Sequence, residues 1–171
     1  LEKISLSRFN KALKRSVDIV VASVALVLAS PFLLAAAIAI KLYDRGPVLF
    51  RQTRVGKDGE HFAVYKFRTM VPNAESMIAD LQEASNFREG PLFKMERDPR
   101  QTKVGRVLEA ASVDELPQLL NVLQGTMSLV GPRPALPSEV AQFDEELLER
   151  FSVPPGITGL WQVEARDNPS F

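Results

Sequence analysis

The chain of 171 residues contains no cysteine, which excludes disulfides and thiolate chemistry alike. It has one histidine, His61, which stands beside a turn signal and reads as an ordinary surface side chain. No Asp-x-Asp pair occurs, so the metal motif of many soluble nucleotide-sugar glycosyltransferases is missing. A glycine-rich phosphate loop and a dinucleotide fingerprint are missing too, and there is no internal repeat or low-complexity tract. An excess of either charge is also lacking, with 21 Lys and Arg against 21 Asp and Glu. Without a net positive charge or an aromatic-basic motif, no nucleic-acid partner is expected.

The charges are unevenly placed. Residues 1–72 hold 12 Lys and Arg against 5 Asp and Glu, and residues 73–171 hold 9 against 16. The basic half contains the one long apolar run, a pairing that suits an anionic membrane surface. With 46% hydrophobic residues the chain can bury one core, which predicts a single catalytic unit.

From Ile19 to Ile40 there are 22 residues without a charge, the length of a bilayer-spanning helix. Three features favour a segment that turns back instead. Lys11, Lys14 and Arg15 precede it and Lys41 and Arg45 follow it, so both ends prefer the cytoplasmic side. Pro31 lacks the amide that would bond the Val27 carbonyl, which predicts a bend there. Ser30 can offer its hydroxyl to that freed carbonyl. The arm before Pro31 covers roughly 18 Å, too short for a ~30 Å hydrocarbon core. A plain spanning anchor remains the competing reading. Asp18, at the mouth of the run, is an ionisable residue at a depth where few are idle.

Residues 5–16 read as an interfacial lead-in with Leu6, Phe9 and Leu13 on one face. Pro47 to Phe50 opens a strand, Gly56-Lys57-Asp58-Gly59 signals a turn, and His61 to Met70 reads as a second strand, giving a hairpin. Phe62, Val64, Lys66 and Arg68 then share one face, with two cations that need anionic partners. Helical spacing marks Ala74, Met77, Ile78 and Leu81, and again Leu116, Leu119, Leu120 and Leu123 up to Gly125. Residues 86–103 read as loop. A further helix is predicted from Pro137 to Phe151 with Val140, Phe143, Leu147 and Phe151 inward, then a rigid turn at residues 153–159 and a strand at residues 160–163. The fold class is α+β: residues 1–46 as lead-in and re-entrant membrane helix, residues 47–171 as a small cytoplasmic α/β catalytic domain.

Ser112-Val113-Asp114-Glu115 sets two adjacent carboxylates at a helix start. The plain reading is a capping box, Ser112 to Glu115. The functional one is that helix N–H groups bind phosphate while a carboxylate attacks phosphorus and supports magnesium. Gly131-Pro132-Arg133-Pro134 is either an ordinary turn or a rigid mount presenting a guanidinium to a diphosphate. Lys66 and Arg68 are either a solvated strand edge or phosphate ligands. Glu145 stands among Asp144, Glu146 and Glu149, where a solvated acidic face is the plain reading.

Taken in order, Lys14-Arg15-Ser16-Val17-Asp18-Ile19, Ser30-Pro31, Tyr65-Lys66-Phe67-Arg68-Thr69-Met70, Asp114-Glu115-Leu116-Pro117-Gln118, Asn121-Val122-Leu123, Met127 to Pro134 and Pro155 to Leu160 resemble the bacterial monotopic phosphoglycosyl transferases, or polyprenyl-phosphate hexose-1-phosphate transferases. The resemblance runs from about Leu13 to Arg166. It implies a re-entrant helix broken at Ser30-Pro31, a bacterial inner-membrane location with the catalytic domain on the cytoplasmic face, Mg²⁺ dependence and a ping-pong reaction. The donor would be a nucleotide-sugar, with a lean to UDP-sugars, and the acceptor polyprenyl phosphate. Carried over by position, Asp114 resembles the nucleophile and metal partner, Glu115 its companion, and Lys66, Arg133 and Glu145 substrate-binding residues; Arg68 joins them as the cation on the same strand face as Lys66. Homo-oligomerisation is left open. Three departures stand out. Glu109 occupies a position that is usually basic, so another cation, such as Arg106, must serve if the diphosphate is held there. Thr126 stands where an aspartate is common. The chain also ends at Phe171, short of the family's usual C-terminal segment, and starts at Leu1, so a fragment is expected. A membrane-anchored nucleotide-sugar or lipid-phosphate binding protein without turnover, and a lipid-pyrophosphate hydrolase, are the rival functions.

Overall fold

A computed structural model describes residues 7–77 and 98–159. Their elements are α1 (Arg8–Asp44), β1 (Leu49–Val55), β2 (His61–Phe67), α2 (Lys103–Ala110), α3 (Gln118–Gln124), β3 (Ser128–Val130), α4 (Pro137–Val140), α5 (Glu145–Leu148) and β4 (Gly156–Thr158). Short 3₁₀ turns cover Lys57–Gly59, Val113–Glu115 and Glu149–Ser152. The mixed α and β content agrees with the expected class. Contacts divide the chain into two compact units: Leu1–Ser30, Thr53–Val64 and Gln118–Phe171 form the first, and Pro31–Gln52 with Tyr65–Pro117 the second.

Helix α1 starts where Ser7 Oγ accepts the Asn10 amide at 3.2 Å, a side-chain cap on an otherwise orphan donor. It continues for 37 residues and includes Pro31. Lead-in and apolar run are therefore one helix, since no breaker separates them. Ser30 Oγ donates to the Val27 carbonyl at 2.7 Å, the group that proline leaves without an amide partner. Val27 and Leu28 are each 70% exposed, and the helix is long and apolar enough to cross a membrane.

In the first unit, charged residues of α1 bind it to α3 and β3. Arg15 donates to the carbonyls of Val122 and, at 2.8 Å, Leu123, in the last turn of α3, where a helix favours a cation. Asp18 is buried and accepts from Lys14 Nζ at 2.8 Å, Ser128 Oγ at 2.8 Å and the Leu129 amide at 3.3 Å. Strands β3 and β4 pair in parallel, Ser128 with Gly156 and Val130 with Thr158. Their crossing admits only glycine: a Cβ on Gly156 would lie 2.1 Å from the Gly131 nitrogen, and one on Gly131 would lie 2.5 Å from the Pro154 oxygen. This pairing is where the Gly-Pro-Arg-Pro and Pro-Gly-Ile-Thr-Gly motifs meet.

Two expectations change in this unit. Residues 137–151 form α4, α5 and a 3₁₀ turn, because Asp144 takes extended torsions and its carboxylate accepts the Leu147 amide at 2.9 Å, starting a new helix. Leu147, expected inward, is exposed. Gly156–Thr158, expected within a rigid turn, form β4, and the strand expected at residues 160–163 lies outside the described residues.

In the second unit Ala36, Ile40, Phe67 and Leu108 form a buried cluster, with Leu33, Ala37, Val48, Val104 and Val113 against it. Leu33, Ala36, Ala37 and Ile40 are one helical stripe. Helix α2 falls partly in the stretch read as loop. Thr102 caps it, accepting from the Gly105 amide at 2.8 Å, and donates to the Thr69 carbonyl at 3.2 Å. A Cβ on Gly105 would lie 1.9 Å from that same carbonyl, so α2 lies directly against the backbone after β2. The helix expected around Ala74 to Leu81 begins at Met77, and the rest of it lies outside the described residues.

Candidate active site

Asp114 occupies the 3₁₀ turn between α2 and α3. Ser112 has φ 55°, in the left-handed region, and makes no side-chain cap hydrogen bond. The expected capping box is thus not formed: the left-handed residue ends α2, and α3 begins only at Gln118. Asp114 is 8% exposed. Burial pushes its carboxyl up to about 6, with Lys66 opposing and the Glu115 and Glu109 charges reinforcing the rise. Asp114 is therefore still mostly ionised at neutral pH.

A cavity of about 640 Å³ in the second unit is lined by Asp114, Glu109, Lys66, Arg68 and Arg100, with Phe50, Phe67 and Met70 as apolar walls. Lys66 Nζ lies 2.6 Å from Glu115 Oε1. One lysine thus pairs with Glu115 directly and acts on Asp114 through space. Arg68 also lines this cavity, but it is buried and its donors reach Asp44, Pro47 and Met70: Nη1 to Asp44 Oδ2 at 2.6 Å, Nη2 to Asp44 Oδ1 at 2.5 Å, Nε to the Pro47 carbonyl at 2.6 Å, and Nη1 to the Met70 carbonyl at 3.0 Å. This geometry fixes the end of α1 to β2, in the way a bidentate buried pair does.

Arg133 and Glu145 belong to the first unit. The Arg133 side chain is 40% exposed, with Nη2 at 3.8 Å from Glu139 Oε1. Glu145 is exposed in the first turn of α5. Sequence reasoning missed Arg100, which is 7% exposed, lines the cavity and holds Asp98 with Nη2–Oδ2 2.6 Å and Nε–Oδ1 2.9 Å. Its signal is Asp98-Pro99-Arg100, an Asx turn in which Asp98 also accepts the Arg100 amide at 2.9 Å. Arg106, the substitute cation expected for Glu109, instead points its Nε at Gln101, 3.4 Å away. Glu109 accepts from the Gln101 amide.

Among the described residues there is no group of three carboxylate or imidazole side chains suited to a metal. Magnesium is commonly held by one or two carboxylates, with substrate phosphates and water completing its shell. Asp114 supplies one carboxylate of that kind to the cavity.

The model of the family described as bacterial sugar transferase matches residues 9–171. The exopolysaccharide production protein ExoY of Rhizobium meliloti is 40% identical over 92% of this chain and 71% of its own length. The undecaprenyl-phosphate galactose phosphotransferase of Salmonella typhimurium is 39% identical over 96% of this chain and 35% of its own. The UDP-glucose:undecaprenyl-phosphate glucose-1-phosphate transferase of Escherichia coli is 45% identical over 92% and 32%. The chain thus spans about a third of the length of the latter two relatives. On the residues matched and on these identities, the chain belongs to the bacterial sugar transferase family.

Proposed function

We propose that the chain transfers a sugar 1-phosphate from a nucleotide-sugar, with UDP-sugars as the favoured class, to polyprenyl phosphate, undecaprenyl phosphate by the names of its relatives. This would be the first membrane step in making an exopolysaccharide, capsule, O-antigen or related glycan. The observation carrying it is Asp114, a buried carboxylate that shares a cavity with the Lys66 ammonium, its carboxyl raised by burial to about 6. Such a group is desolvated enough to be nucleophilic and is surrounded by charge that tolerates a phosphate.

In the first step an Asp114 oxygen attacks the phosphorus that bears the sugar. The bond from that phosphorus to the bridging oxygen of the diphosphate breaks, and the nucleoside monophosphate leaves with that oxygen. In the second step an oxygen of polyprenyl phosphate attacks the same phosphorus. The acyl-phosphate bond breaks, Asp114 regains its carboxylate, and a lipid diphosphate-sugar results. Lys66 steadies Glu115 and draws Asp114 towards its ionised form; Arg133 is proposed as a phosphate ligand. Asp114 is also the residue that would hold magnesium, which when bound neutralises phosphate charge.

A re-entrant α1 on the cytoplasmic face of the inner membrane completes the reading. In support, both flanks of the apolar run are engaged by polar parts of the chain. Arg15 and Asp18 bind α3 and β3, and Asp44 binds Arg68. Basic residues, Lys14 and Arg15 before the run and Lys41 and Arg45 after it, favour the same side for both ends.

The test supplies a panel of nucleotide-sugars with undecaprenyl phosphate and magnesium. The transferase reading expects nucleoside monophosphate in step with phosphosugar recovered on the lipid. A binding protein releases none. A lipid-pyrophosphate hydrolase releases phosphate from a lipid diphosphate without any nucleotide-sugar.

A further inference from the structure

We infer that Arg68 is a positioning residue: clamped by Asp44 at the exit of α1, it fixes the end of β2 and so places the Lys66 ammonium for the reaction at Asp114. This rests on the transferase reading above.

Asp44, Arg68 and Lys66 all belong to the second unit. The Arg68 side chain is 7% exposed and that of Asp44 20%. Besides its two bonds to Asp44, the guanidinium donates to the Pro47 carbonyl ahead of β1 and to the Met70 carbonyl beyond β2. These hydrogen bonds take up four of the five donors that an arginine has, which leaves little for a substrate phosphate. The Arg68 amide in turn donates to the Val48 carbonyl at 2.9 Å.

The exit of α1 is shaped to meet this side chain. Arg45 turns the chain with φ 59°, Asp44 Oδ1 accepts the Gly46 amide at 3.0 Å, and Lys41 Nζ donates to the Arg45 and Gly46 carbonyls at 3.0 and 3.3 Å. A Cβ on Gly46 would lie 2.8 Å from Arg68 Nη2, so the turn lies directly against the guanidinium.

Lys66 is held far less firmly by its own contacts. Its side chain is 31% exposed and that of Glu115 33%, and an ion pair so open to water contributes little order by itself. The placement of Lys66 must therefore come from its strand. Phe67, the next residue, joins the buried cluster with Ala36 and Ile40 of α1. Arg68 follows, about 7 Å from Lys66 along an extended chain, and both line the cavity of Asp114. Helix α1 thus grips the end of β2 at two successive residues, immediately after Lys66. A buried ion pair is a poor source of net stability, because desolvation offsets its attraction, but a matched bidentate pair holds geometry closely. That suits the placing of a cation, since a charge displaced by about 1 Å loses much of its effect on a transition state.

The test uses the full enzyme in lipid nanodiscs with nucleotide-sugar, undecaprenyl phosphate and magnesium. Asp44→Asn should lower kcat about tenfold, the scale of a misplaced catalytic group, with both KM values changed less than twofold. In a Lys66→Met background the same substitution should lower kcat less than twofold, because the group it positions is gone. Lys66 should also react faster with an amine-directed ester, read by mass spectrometry, in Asp44→Asn than in the parent. Asp44→Leu combined with Arg68→Met removes both charges, so that neither is left buried alone; it should melt no lower than Asp44→Asn and still show the tenfold loss. Equal losses in the two backgrounds, an unchanged kcat, unchanged Lys66 labelling, or failure of both variants to fold would overturn the assignment. If the parent itself never turns over, faster Lys66 labelling in Asp44→Asn keeps the clamp and sinks the transferase reading, and unchanged labelling sinks both.

Discussion

Lys66 donates to Glu115 at 2.6 Å, while Asp114, the residue just before that glutamate, is left to the opposing effects of burial and the same lysine. One cation thus governs two carboxylates, which makes its removal informative. Lys66→Met should lower turnover about 100-fold, the usual scale for removing one preorganised charge. It should also move the acidic limb of the rate profile to higher pH, because the Lys66 charge opposes the rise that burial causes in the Asp114 proton affinity. A pH series on the two proteins checks both effects, and Lys66→Arg should recover most of the limb.

Burial of Asp114 carries a stability consequence with a definite sign. A carboxyl raised to about 6 from its ordinary 3.8 binds its proton more tightly folded than unfolded. Its contribution is full at low pH and is lost as pH rises through about 6. Asp114→Asn should therefore be more stable than the parent by about 1–3 kcal/mol at pH 8, with no gain at pH 4. Denaturant unfolding in detergent without magnesium reads this directly. A larger advantage at pH 4 than at pH 8 would contradict it.

Glu109 lines the same cavity and raises Asp114, so a positive charge there should do the reverse. Glu109→Arg is expected to keep or increase turnover and to shift the acidic limb to lower pH, since it replaces a like charge by an opposite one. A large fall in turnover with unchanged folding would show that the carboxylate has its own part in the reaction.

Parts of the fold were legible because short motifs carry their own mechanism. The Ser30-Pro31 pair is the clearest case: the hydroxyl expected to serve the Val27 carbonyl does so. The hairpin followed from a period-two pattern bounded by a glycine turn. What was not legible depended on competition between local options. Ser112 and Glu115 spell a capping box, but the left-handed torsion of Ser112 ends one helix instead of starting the next. Asp144 could continue a helix or cap a new one, and capping wins. Arg68 looked like a phosphate ligand from its face on the strand; that Asp44, 24 residues earlier, takes both its forks is a long-range pairing no periodicity displays. Helix α2 was hidden because only eight residues with two inward apolar side chains, Val104 and Leu108, carry its signal.

The absence of cysteine makes the membrane arrangement directly testable. Single cysteines at Lys11 and Tyr43 flank the apolar run, and Tyr43 is half exposed. In oriented membrane vesicles both should react with an impermeant maleimide from the same side. Labelling from opposite sides would replace the re-entrant helix with a spanning one.

The central claim is that Asp114 carries the phosphosugar, and one experiment tests it most directly. Enzyme, magnesium and the preferred nucleotide-sugar are mixed without any lipid acceptor, and both the released nucleotide and the Asp114 peptide are measured. A covalent route predicts a burst of about one equivalent of nucleoside monophosphate, a matching sugar-phosphate mass on the peptide containing Asp114, and neither with Asp114→Asn. Monophosphate that appears only once lipid is added, with no adduct at any time, would contradict the account and leave Asp114 as a metal ligand in a direct displacement.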